Sequence, residues 1–221
     1  MFGMNFDLPT MLVDIPVFLI ALSFHELSHG FIAFIFGDST AKYDGRLSLN
    51  PIRHVDPIGF VFMILFHFGW AKPVMINMRN LKKPKRDMAF IALSGPISNF
   101  LLTFICLLIY YPLYYYYRGM IPYIPALFIN EFIRINISLA VFNLIPIPPL
   151  DGSKVLDAFI PFKYYLRVMQ YERYGFIILI VLVFTGVISA ILNPVIGGDY
   201  GQHGILNGML FLVDKIYFFL K

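Results

Sequence analysis

The stretch Ser23-Phe24-His25-Glu26-Leu27-Ser28-His29-Gly30 lies inside an apolar run from Pro16 to Phe36. Two histidines four positions apart fall on one face of a helix, one turn above each other, which lets two imidazoles reach one Zn²⁺. Glu26 directly follows the first of them. In an H-E-x-x-H arrangement that carboxylate stands beside the metal and takes the proton of the water that attacks a carbonyl. A lone histidine on an apolar helix is usually a packing residue. Two His and one Glu within five residues of a membrane helix are a different matter, because each ionisable group there costs about 2.5 to 3.5 kcal/mol on insertion scales. Metal chemistry therefore outweighs packing as the reason for these residues.

The surrounding composition sets the environment. Of 221 residues, 59% are hydrophobic, 18% aromatic and only 14% charged, and the mean hydropathy is +0.74, far from the balance of a soluble domain. The chain reads as an integral membrane protein of one domain, residues 1–221, with a catalytic core at about 10–160 and C-terminal helices at 174–220. The first apolar run lacks a basic n-region and a small-residue cleavage site, so it is expected to stay in the mature protein. The single cysteine, Cys106, offers no disulfide and no thiolate site. The net charge of +4 is concentrated in Lys72, Arg79, Lys82, Lys83, Lys85 and Arg86, a loop suited to the anionic headgroups of a lipid bilayer; no nucleic-acid partner is expected.

The distribution of basic residues orients the chain. Residues 1–10 contain no Lys or Arg, so helix one is expected to run inward, with Pro16 in its first turn, Asp14 as a cap and Gly37 at its end. The histidines then sit on the order of 10 to 15 Å inside its cytoplasmic end. Asp44-Gly45 suggests a short hairpin in the polar stretch that follows. Ile58 to Trp70 is too short to cross a core of about 30 Å and has basic residues on both sides, so a re-entrant segment is expected. Ala89 to Tyr111 spans, its Ser94-Gly95-Pro96-Ile97-Ser98-Asn99 read as helix packing, and a tyrosine belt follows at Tyr110 to Tyr117. Ile124 to Ile145 returns with Glu131 and Arg134 paired three apart. In Phe142 to Lys154 the prolines 146, 148 and 149 forbid a helix, and Asp151 is the third zinc ligand that two histidines require. Lys154 to Arg173 is amphipathic and cytoplasmic, Tyr174 to Leu192 spans outward, His203 in the glycine-rich loop has no ligand spacing, and Ile205 to Leu220 ends the chain as a short helix. The expected fold is all-α and polytopic: a bundle of about four to six transmembrane helices with a short re-entrant or β-hairpin segment.

With HELSH in helix one, SGPISN in a middle helix and FNLIPIPPLDG closing a later one, the chain resembles the site-2 protease family of intramembrane zinc metalloproteases, in a short form without PDZ or CBS domains. GRLSLNP and GWAKPV resemble its short bacterial and archaeal members. The resemblance implies that His25, His29 and Asp151 hold Zn²⁺, that Glu26 is the general base, that Asn143 steadies substrate or oxyanion, and that Gly95 and Asn99 form a G-x-x-x-N helix motif. It implies cleavage of transmembrane protein or peptide substrates in the plasma membrane of a prokaryote, the active site toward the cytoplasm. A zinc-binding membrane protein or carrier without protease activity is the alternative. Glu26 and the lack of an internal repeat weigh against it.

Overall fold

A computed structural model describes residues 8–66, 69–196 and 204–219. It is helical, and no strand occurs among the described residues. Helices α1 (Leu8–Ile35), α2 (Thr40–Tyr43), α3 (Pro57–Phe66), α4 (Pro84–Tyr116), α5 (Tyr123–Asn143), α6 (Asp151–Asp157), α7 (Phe162–Phe184), α8 (Val187–Ile196) and α9 (Ile205–Phe219) follow in order. Three of them, α1, α4 and α5, are long and apolar enough to cross a membrane, and the bent pair of α7 and α8 would make a fourth if it is one span. This is the low end of the expected range.

Helix α4 shows how the bundle is solvated. Gly95, Asn99, Thr103 and Leu107, each four apart, are buried, whereas Ile97, Leu101, Ile105 and Ile109, also four apart, are exposed. In water those stripes would be exchanged. Small and polar side chains turned inward, with branched apolar ones outward, are what helices packing in lipid require. The inward faces meet in a cluster of Leu107, Ile133, Ile137, Val141, Val183, Ile188, Leu192 and Val213, and Val13, Val17 and Ala21 of α1 pack on Ile135 of α5.

Local departures from the sequence reading have identifiable causes. Helix α1 begins at Leu8, so Pro16 lies inside it rather than in its first turn, and Asp14 is buried and faces Arg134 Nη2 at 3.6 Å instead of capping. Arg134 also pairs with Glu131 as expected, which ties α5 to α1. Gly37 does end the run, at φ +107°. The expected hairpin at Asp44-Gly45 is instead the one-turn helix α2, closed by Gly45 at φ +65°. Tyr174 to Leu192 is not one straight span, because Gly186, at φ +77°, breaks it into helices bent by 74°. The last helix does form. It is held to α4 by Tyr111 Oη on the Asp214 carboxylate and by Tyr217 Oη on Leu108 O at 2.6 Å. His203 lies outside the described residues.

The two ends of the segment expected to be re-entrant are paired. Val55 and Ala71 form an antiparallel bridge, Lys72 N donates to His54 O at 2.8 Å, and a side chain on Gly59 would collide with the Trp70 backbone. Entry and exit thus lie side by side at one level, which a span would prevent. Beyond it Asp38, fully buried, gathers Thr40 Oγ1 (2.6 Å), Thr40 N (3.1 Å), Asn77 N (2.7 Å) and Asn80 Nδ2 (2.8 Å). This carboxylate pins the chain after α1 to the chain before α4. Burial works against its ionisation, but the hydrogen bonds from Thr40, Asn80 and Asn77 outweigh burial and hold its pKa below the ordinary value.

Two outcomes follow from this cap. Cysteines at Lys42 and Lys82, in a background without Cys106, should react with an impermeant reagent from the same side of the membrane; labelling from opposite sides would make Ile58 to Trp70 a span. Asp38→Asn turns an acceptor oxygen into a donor and should lower stability at neutral pH by about 1–3 kcal/mol. Because the folded pKa is depressed, the wild-type advantage is fully present above the unfolded value of about 3.9 and is lost as pH falls through the folded one. Thermal unfolding in detergent across pH 2 to 7 should show the two proteins converging only at the acid end.

Candidate metal centre

Helix α1 carries both histidines on its buried face, with the rings edge-on and their centroids 4.6 Å apart. Each ring is fixed from behind by its Nδ1. His29 Nδ1 lies 2.7 Å from Ile91 O, and His25 Nδ1 lies 2.7 Å from Asn99 Oδ1, both acceptors belonging to α4. The Nδ1 atoms are thereby the protonated ones, and the Nε2 atoms face the centre of the bundle. There Asp151 Oδ2 stands 3.0 Å from His25 Nε2 and 3.1 Å from His29 Nε2.

Two glycines allow this meeting. A Cβ on Gly95 would fall 2.5 Å from His29 Cε1 and 2.6 Å from His25 Nε2, so α4 can back onto the imidazoles only where it has no side chain. On the other side, a Cβ on Gly152 would collide with the Leu144 carbonyl. The proline-broken loop after α5 therefore folds against the start of α6 and delivers Asp151 into the bundle. Lys154, one turn on, places Nζ 3.7 Å from the second oxygen, Asp151 Oδ1.

The three groups fit a zinc ion. His25, His29 and Asp151 are all buried and offer ligand atoms within 4.8 Å of one another. A tetrahedral ion with bonds of 2.0 to 2.2 Å separates its ligand atoms by about 3.3 to 3.6 Å, a few tenths of an ångström more than the distances from Asp151 Oδ2 to the two Nε2 atoms, and two imidazoles with one carboxylate leave a fourth position open, as a hydrolytic site requires. Glu26, also buried, stays out of this group, and its Oε2 accepts the Val74 backbone N–H at 2.9 Å. Val74 belongs to the extended stretch between the re-entrant segment and the Asp38 anchor. Nothing in the residue types of that stretch announces the contact, since it is made by the main chain. Asn143 is the last residue of α5, and its amide donates to Leu139 O of its own helix at 2.9 Å. Residues Leu47 to Asn50 are irregular, with Ser48 O accepting from His54 Nε2.

A lipid-facing helical bundle with a buried His-His-Asp group and a carboxylate beside it defines a membrane metallopeptidase. Residues 123–186 match the model of Peptidase family M50. The chain is 37% identical over 191 residues to "Putative zinc metalloprotease YwhC" of Bacillus subtilis (strain 168), covering 85% of this chain and 86% of that one. It is 29% identical over 158 residues to "Putative zinc metalloprotease MJ0611" of Methanocaldococcus jannaschii, covering 69% and 73%. It is 26% identical over 175 residues to "Putative zinc metalloprotease Rip2" of Mycolicibacterium smegmatis, covering 76% and 64%. No solved structure matches. The protein belongs to peptidase family M50, the site-2 protease family, and is a zinc metallopeptidase of that type.

The geometry at Gly95 makes a strong demand on this helix crossing. Gly95→Ala places a methyl group against both imidazoles, so zinc retained on purification should fall by roughly tenfold or more, the scale on which displaced supporting contacts act, while the protein still inserts. Elemental analysis of the purified variant checks this; full occupancy would mean that α4 can yield.

Proposed function

We propose that this protein hydrolyses peptide bonds in or near the transmembrane segments of membrane-protein substrates, in regulated cleavage or in clearance of membrane peptides. His25, His29 and Asp151 hold the zinc and Glu26 is the general base. The observation that carries this reading is the burial of all four side chains in a bundle whose outer surface is apolar. Zinc in such a site polarises a scissile carbonyl and lowers the pKa of water toward 7. Glu26 accepts the proton of the attacking water and returns it to the leaving amine, and the Val74 N–H keeps the carboxylate turned for that exchange. Asn143, at the end of α5, would donate to the oxyanion after releasing Leu139 O. A substrate helix must unwind before its carbonyls are accessible, and an extended neighbour favours the unwound form. Beside the base the described residues offer Pro73 to Asn77, which take neither helix nor turn up to the Asp38 anchor.

Orientation follows from charge. Glu26 lies nine residues before the end of α1, about 13 Å at 1.5 Å per residue, and the basic loops lie beyond that end, which supports a site toward the cytoplasmic side of the membrane. Glu26→Gln keeps the side chain's size but cannot take a proton. The variant should retain zinc and associate with a model transmembrane substrate, and cleave it more slowly by about 10² to 10⁴, the usual weight of a general base. A purified variant that cleaves at the wild-type rate would remove Glu26 from the mechanism. Zinc flux across vesicles that persists in the variant would favour a carrier.

A further inference from the structure

The mechanism uses neither of two fully buried asparagines, Asn99 of α4 and Asn136 of α5. Amides at membrane depth are costly unless every polar atom finds a partner, and these form a directed chain. Asn136 Nδ2 donates to Phe132 O at 2.8 Å, in its own helix. A carbonyl can only accept, so the Asn136 amide nitrogen must face it, and Oδ1 is turned toward α4. There it accepts from Asn99 Nδ2 at 2.9 Å. The same Asn99 nitrogen reaches Ala21 O at 3.1 Å, the α1 carbonyl four residues before His25. With both Asn99 amide hydrogens directed to acceptors, its Oδ1 is left for His25 Nδ1 at 2.7 Å, which must therefore carry the proton. We infer that Asn136 is a positioning residue for the metal centre: through Asn99 it fixes which nitrogen of His25 is protonated, so that Nε2 keeps its lone pair for the ion. Phe132 O of α5, acting through Asn136, thus joins Ala21 O in setting the tautomer of a ligand on α1. His29 needs no such relay, because Ile91 O performs the same function directly.

The inference rests on the proposed role of His25 as a zinc ligand, and its test separates the two. Asn136→Thr and Asn136→Val have the same shape. The threonine hydroxyl can donate to Phe132 O and accept from Asn99, whereas valine does neither and leaves the Asn99 amide held by Ala21 O alone. Zinc affinity by chelator competition should be near wild type for Asn136→Thr and weaker by roughly 10- to 100-fold for Asn136→Val, the scale on which outer-shell partners of metal-bound histidines act. In protein labelled with nitrogen-15 histidine and loaded with zinc, the His25 Nδ1 proton should be downfield and slow to exchange in wild type and in Asn136→Thr, and shifted and fast in Asn136→Val. A packing role alone would move both variants together, so equal affinities with an unchanged ring proton would overturn the inference. A wild-type spectrum with His25 bound through Nδ1 would overturn it without any variant. If the two variants differ in the ring proton while no form binds zinc, the relay stands and the metal assignment falls.

Discussion

The site depends on how closely α4 can approach α1. At Gly95 the α4 backbone lies directly on the two imidazoles of α1 with no side chain of its own, and the rings fill the space that a methyl group would take. From that contact the neighbouring distances follow: Ile91 O, one turn before Gly95, meets His29, and Asn99, one turn after it, meets His25. Three positions of α4 spaced by four residues thus form a template against which two histidines spaced by four are set. Helical periodicity on both partners aligns the acceptors with the rings.

Burying this much polarity in a membrane protein is tolerable where the groups find partners. Each Nδ1 donates to an acceptor and the Asn99 and Asn136 amides end on backbone carbonyls, whereas Asp151 Oδ2 faces the lone pairs of both Nε2 atoms, an arrangement that a cation between them would satisfy. An incomplete version would cost more than an apolar core, since an unpaired group in hydrocarbon has no water to turn to. Arg134, Asp14 and Glu131 follow the same rule further along α1, where an ion cluster joins the same pair of helices, α1 and α5, that the second apolar cluster joins.

Much of this was legible in the sequence because it is periodic or chemically rare. The H-E-x-x-H spacing, the proline run before Asp151 and the basic flanks of Ile58 to Trp70 each constrain the chain by local rules: the two histidines share a buried helix face, the prolines end α5, and the flanks of Ile58 to Trp70 pair at Val55 and Ala71. What was not legible depends on main-chain contacts between distant segments. The Val74 N–H on Glu26 leaves no trace in residue type. The start of α1 at Leu8 places Pro16 mid-helix, where a long apolar helix packed among neighbours tolerates it. Asp44-Gly45 favours a hairpin only when flanking strands exist to pair, and here Ala41 is buried beneath the end of α1, so one helical turn wins. Asn136 carried a signal, an amide inside an apolar run, but its partner could be found only in three dimensions.

The two halves of the site are built from different material, and this matters for access. The ligand half rests on helices: His25 and His29 on α1, their acceptors on α4, and Asp151 at the first residue of α6. Such elements open only with the bundle. Glu26 is held from the other side by a non-helical strap, fixed at Ala71 by a single bridge and at Asn77 by the Asp38 carboxylate. Between those anchors the strap has few backbone partners, and Met75 on it is exposed. A metal site needs ligand atoms held to within about 0.5 Å, which helices provide. On the proposed function, a substrate arriving as a helix would need the opposite, a backbone edge whose groups are not already committed to a ladder. Placing the ligands on helices and the neighbour of the base on a strap satisfies both requirements within one small bundle.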